Sequence, residues 1–99
     1  MLVAQRVITG QDQWTNPLDF NTGVYPSDDV KFNISVGNGP FVATVTLQRS
    51  FDGVTFEDVW TTTAPAQKIG LAPEPGVVWR IGCKTGEYTS GSPSVRISR

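Results

Sequence analysis

The stretch Val30-Lys31-Phe32-Asn33-Ile34-Ser35-Val36-Gly37-Asn38-Gly39-Pro40-Phe41-Val42-Ala43-Thr44-Val45-Thr46-Leu47-Gln48 decides the fold. Val30, Phe32, Ile34 and Val36 alternate with Lys31, Asn33 and Ser35. A period of two places one set on each face of a strand, as in a sheet covered on one side. Gly37-Asn38-Gly39-Pro40 then breaks the run, and Phe41, Ala43, Val45 and Leu47 form a second apolar row opposite Val42, Thr44, Thr46 and Gln48. The shortness of the break predicts an antiparallel hairpin between the two.

The same signals recur on both sides. Downstream, Arg49-Ser50-Phe51-Asp52-Gly53-Val54-Thr55-Phe56 carries an Asp-Gly turn leading into the β-prone run Thr55 to Thr63, which predicts a second hairpin. Gln67 to Leu71 lies between Ala64-Pro65 and Ala72-Pro73-Glu74-Pro75-Gly76 and reads as a strand at the sheet margin, because proline is excluded from central ladders. Val77, Trp79, Ile81 and Cys83 alternate with Val78, Arg80, Gly82 and Lys84, so one face buries Trp79 and Cys83 while the other presents Arg80 and Lys84. Val95 and Ile97 mark a last strand, Ser94 to Arg99, after a polar loop from Thr85 to Pro93. Upstream, residues 2–8 read as a strand, and Gly10 to Pro26 sets Trp14, Leu18, Phe20, Val24 and Tyr25 among turn formers. Residues 1–26 are thus an N-terminal arm or a strand plus loop. Residues 1–99 form a single all-β domain, a small β-sandwich of about seven short antiparallel strands, immunoglobulin-like or jelly-roll-like.

Composition narrows the chemistry. The chain has 99 residues, of which 38% are hydrophobic and only 17% charged, so its surface is rich in neutral polar groups such as Thr. A net charge of −1 lacks the basic footprint of a nucleic-acid binder. The absence of His removes the Ser-His-Asp and Cys-His nucleophile systems and His-ligated zinc, and no cofactor or metal is expected. The one cysteine, Cys83, forms no intrachain disulfide and sits in phase with Trp79 and Ile81, the place of a small buried hydrophobe. The start, Met1-Leu2-Val3-Ala4-Gln5-Arg6-Val7-Ile8, is too short and polar for a signal peptide or a membrane span, which implies a non-exported chain with no membrane partner.

The remaining motifs have plain structural readings. Asp28-Asp29 precedes a strand after Pro26-Ser27, where acids cap turns, and no EF-hand spacing accompanies it. Ser50-Phe51-Asp52-Gly53-Val54-Thr55-Phe56 is similar to the Asp-box turn of sialidases, but one residue short and in a single copy; it reads as a device that ties down a hairpin. Asn33-Ile34-Ser35 fits the glycosylation pattern, which chance produces often. Trp14, Trp60, Trp79, Tyr25 and Tyr88 are candidates for stacking on sugars; packing explains Trp79, and protein contact outranks sugar contact for Trp14 and Tyr88.

The run Val45-Thr46-Leu47-Gln48-Arg49-Ser50-Phe51-Asp52-Gly53, the segment from Gly76 to Gly91 and the ending Val95-Arg96-Ile97-Ser98 together resemble the small virion structural proteins of tailed bacteriophages. The likeness spans about residues 30–99 and includes a strand and loop of the form Tyr-Arg-Ile-Gly-x-Lys-Thr-Gly-x-Tyr-Thr-Ser-Gly. Trp79 departs from it where Tyr is usual, and Val54 where a second Gly often follows Asp-Gly. The resemblance implies a non-enzymatic capsid decoration or cement protein of the virion, made in the bacterial host cytoplasm. Its partners would be the major capsid protein or other virion proteins, bound as a trimer or other homo-oligomer. A tail or head–tail accessory component and a carbohydrate-binding β-sandwich are the alternatives. Contact is expected from the loop residues Thr85, Glu87, Tyr88, Thr89 and Ser90, from Trp14 and Tyr25 in the N-terminal stretch, and from edge strands able to extend a neighbour's sheet.

Overall fold

The computed structural model describes residues 2–21 and 30–99, and no residue among them is helical. The strands are β1 (Val3–Val7), β2 (Gln13–Trp14), β3 (Val30–Gly37), β4 (Val42–Ala43), β5 (Val45–Ser50), β6 (Glu57–Thr62), β7 (Ala66–Ala72), β8 (Val78–Cys83), β9 (Tyr88–Ser90) and β10 (Ser94–Ser98). Two four-stranded antiparallel sheets, β1-β10-β3-β7 and β2-β8-β5-β6, face one another as a β-sandwich, and β4 pairs with β9 beside them.

The period-two runs supply the core between the sheets. Val30, Phe32, Ile34 and Val36 of β3 face inward, as do Val45 and Leu47 of β5, Trp79, Ile81 and Cys83 of β8, and Val95 and Ile97 of β10. Phe32 joins the layers: its ring stacks on Phe20 with centroids 4.3 Å apart and lies 4.9 Å from Trp79 on the opposite sheet. Burying these side chains stabilises the fold by about 1.5–3 kcal/mol each before entropy is set against it.

The hairpin expected between residues 30–36 and 41–48 does not form. β3 pairs with β10 and β7, whereas β5 pairs with β6 and β8 in the other sheet. The two apolar rows face each other across the core instead of lying side by side. Both satisfy the same alternation, so periodicity alone does not separate a hairpin from a crossing between layers. The crossing runs through Asn38, whose φ of 65° turns the chain and whose Nδ2 donates to the Ser92 carbonyl at 2.7 Å. The second apolar row also divides at Thr44, whose amide donates to the Glu87 carbonyl. Part of the expected loop from Thr85 to Pro93 is strand, because β9 pairs with β4 through Val42–Ser90 and Ala43–Tyr88.

Other expectations hold. β5 and β6 form the Asp-Gly hairpin, β7 is an edge strand bonded to β3, and β10 closes the chain between β1 and β3. The N-terminal stretch contributes to both sheets: β1 runs beside β10 and β2 beside β8, with Leu18 and Trp79 exchanging backbone hydrogen bonds of 2.9 Å. Gly82 makes the approach of β2 possible, since a Cβ there would stand 2.0 Å from the Gln13 carbonyl oxygen.

Candidate interaction surfaces

The turn between β5 and β6 is held by two side chains. Ser50 Oγ donates to Asp52 Oδ1 at 2.9 Å and accepts from the Gly53 amide at 2.8 Å. The amides of Val54 and Thr55 each donate to Asp52 Oδ1 at 2.8 Å, and Gly53 adopts φ +79°. Those two amides and the Ser50 hydroxyl hold the Asp52 carboxyl down to about 2, since each favours the ionised form. With its backbone donors satisfied internally, the turn presents two apolar side chains to water: Phe51 is 55% exposed and Val54 82%.

Beside this turn the sandwich is open along its β6 and β7 edges. The gap encloses about 250 Å³ and is lined by Leu47, Val59, Trp60, Ile69, Leu71 and Trp79, with Arg49 and Lys68 also on its wall. Val59, Ile69 and Leu71 are exposed, and the Trp79 indole Nε1 is buried without a hydrogen-bond partner among the described residues. Lys68 pairs in register with the inward-facing Ile34 and sets its Nζ 5.4 Å from the Trp60 ring centroid. Leu47 pairs with Trp60 and Gln48 with Asp58, leaving Val59 as an extra, bulged residue on β6. An inward-pointing charge and a bulge both discourage strand-to-strand pairing. These two edges are therefore poorly suited to the sheet extension expected from the sequence.

The outer face of the β2-β8-β5-β6 sheet carries a polar and aromatic cluster. The Arg80 guanidinium lies 4.2 Å from the Trp14 ring centroid and 3.8 Å from that of Phe56. Its Nε donates to Gln48 Oε1 at 3.0 Å, Gln48 Nε2 donates to Asp58 Oδ1 at 2.8 Å, and Lys84 Nζ donates to Asp58 Oδ2 at 2.6 Å. Burial pulls the Arg80 pKa below its ordinary value while Asp12 opposes the change. The hydrogen bond to Lys84, then that to Gln48, lowers the Asp58 pKa, and the same ion pair raises that of Lys84. Both partners are well exposed, so the pair contributes little stability on its own.

The expected contact residues divide between separate places. Trp14 and Thr85 line a shallow depression beside Arg80. Glu87 and Thr89 line another, with Val42, between β4 and the loop before β9, and Glu87 Oε2 is buried there without a described partner. Ser90 pairs with Val42 in the β4–β9 ladder. Tyr88 is half-buried against the core, and its hydroxyl donates to the Gly91 carbonyl. Tyr25 and the Asp28-Asp29 pair lie outside the described residues. The aromatics proposed as a sugar platform do not form a row, because Trp14 lies on the outer sheet face while Trp60 and Tyr88 pack against the core. Phe51 and Val54 stand in the sequence as ordinary turn residues, and only the structure shows them as exposed apolar side chains. Their signal was two large apolar side chains inside a motif whose polar residues already complete the turn.

Cys83 is fully buried, and burial raises its thiol pKa. No three His, Cys, Asp or Glu side chains among the described residues cluster closely enough to hold a metal ion. No helix among them is long and apolar enough to cross a membrane. No protein-family model, curated protein or solved structure matches this chain.

Proposed function

We propose that this chain is a non-enzymatic structural subunit that acts by protein–protein contact, and that its setting is a tailed-bacteriophage particle, as a capsid decoration or cement protein. The observation that carries the contact reading is that Val59, Ile69 and Leu71, all exposed, border one gap whose wall includes Arg49, and that Arg49 also lies 5.1 Å from the exposed Phe51 ring on the adjoining turn. Grouped apolar side chains on a rigid frame are what a partner surface buries, whereas isolated ones need no explanation. The neutral, Thr-rich surface suits close packing of many copies, because little charge repulsion opposes it. The phage setting rests on the resemblance of residues 45–53, 76–91 and 95–98.

Binding confined to the assembled shell shifts the equilibrium toward that shell, and many weak copies act together. The test is to prepare particles lacking the protein and compare their thermal disruption before and after adding it back. Restoration of heat resistance, saturating with added protein, is the expected result. Particles equally stable with and without it would overturn the cement role.

A further inference from the structure

We propose that two copies of this chain dock reciprocally, the Phe51–Val54 turn of each entering the gap between β6 and β7 of the other. The proposal deepens the structural-subunit reading and rests on it for biological setting, although the contact itself is a property of the isolated chain.

Three observations converge on a second copy as the occupant. The first is shape and polarity. The gap of about 250 Å³ is walled by Leu47, Trp60 and Trp79. A dry apolar cavity of about 150 Å³ already accepts a benzene ring, so the gap has room for the Phe51 phenyl group. The second is charge. The turn carries Asp52, whose Oδ1 is occupied by the turn and whose carboxylate stays ionised above a pH of about 2. The gap is walled by Arg49 and Lys68, with Lys68 held over Trp60. An incoming Asp52 thus meets opposite charge as its apolar neighbours are buried.

The third is position. Arg49 lies on the wall of the gap and also 5.1 Å from the Phe51 ring centroid, so projection and recess are adjacent on one molecule. Adjacent complementary features satisfy a two-fold axis, in which each copy gives the same turn and receives the same turn. The bulge at Val59 and the inward Lys68 disfavour pairing of the strand edges, which leaves side-chain insertion as the mode of contact. The turn is internally bonded before docking, so little ordering entropy is lost on binding.

Sedimentation equilibrium of the intact chain, followed by the turn variants Phe51→Ser and Val54→Asp and the gap variant Lys68→Glu, tests this. All three positions are exposed, and circular dichroism checks that each variant folds. The expected result is a monomer–dimer equilibrium that every variant weakens about tenfold or more, as loss of a central apolar anchor or reversal of a facing charge does. A wild-type chain that stays monomeric up to about 1 mM overturns the proposal. So does a dimer that the turn variants weaken but Lys68→Glu leaves intact, or the reverse, because reciprocal docking needs both. Failure here with high copy number in particles would leave the structural role standing. Dimerisation as described by a chain absent from particles would remove the virion role and keep the contact.

Discussion

Replacing Gly82 by alanine perturbs the place where the N-terminal stretch lies on the sandwich. A Cβ at Gly82 would stand 2.0 Å from the Gln13 carbonyl oxygen and 2.8 Å from the Trp14 Cα. Both obstacles are backbone, so no rotamer change relieves them. β2 must lift, and what holds it is then weakened: the Thr15 amide donating to the Ile81 carbonyl at 2.9 Å, the Ile81 amide donating to Thr15 Oγ1 at 3.2 Å, and the Trp14 ring over Arg80. Each hydrogen bond is worth about 1 kcal/mol net and the ring contact about 0.5–1 kcal/mol. Together with residual overpacking, the expected loss is about 2–4 kcal/mol. For a domain of this size that lowers Tm by about 10–30 °C. Gly37→Ala is the control, since a Cβ there meets nothing within 4 Å. Thermal and urea unfolding of both variants, with tryptophan fluorescence following Trp14, measures the difference. A Gly82→Ala protein that melts with the wild type, or a Gly37→Ala protein that loses as much, would refute the reasoning.

Further expectations follow from individual groups. Asp52 is held at about 2 against an ordinary 3.8, so its contribution to stability is present above pH 3.8 and is lost as pH falls toward 2. NMR titration of its carboxyl carbon checks the value, and Asp52→Asn should flatten that part of the stability profile. The buried Cys83 thiol, raised above its ordinary 9.0, should react with a thiol reagent only as the protein unfolds, and stability should decline as pH rises beyond 9.0. Rapid labelling of the native protein would contradict its placement. Arg80→Lys keeps the charge but loses the planar group between Trp14 and Phe56, and should cost about 1–2 kcal/mol in urea unfolding. An unchanged midpoint would show that the stack contributes nothing.

Much of the fold was legible because inward and outward residues differ so clearly. The alternation in residues 30–36 and 77–83 named the buried side chains of β3 and β8, and the prolines around residues 66–72 placed β7 at an edge. Which strand pairs with which was not legible. β3 and β5 satisfy one apolar pattern whether they share a sheet or face across the core, and backbone pairing carries no mark of its own in the side chains. The short β2 and β9 escaped notice because elements of two or three residues have too little length to show a period, and β4 was read as one strand with β5 because nothing in the alternation marks the division at Thr44. In the polar stretch from Thr85 to Pro93, Thr85, Thr89 and Ser90 are exposed as its composition suggests, whereas Tyr88 is half-buried and Pro93 fully buried. The gap between β6 and β7 was not legible, because its walls come from strands in different sheets. Arg80 was placed correctly on the outer face, but its stack between Trp14 and Phe56 depends on chain returns that no local pattern encodes.

The central claim, that the chain works as a repeated structural subunit, is tested most directly by its abundance in particles. Quantitative mass spectrometry of purified virions, set against the major capsid protein, should give a copy ratio near one or a simple fraction of it. A handful of copies would move the chain to the tail or portal and contradict the decoration role, and absence from the particle would contradict the virion assignment altogether.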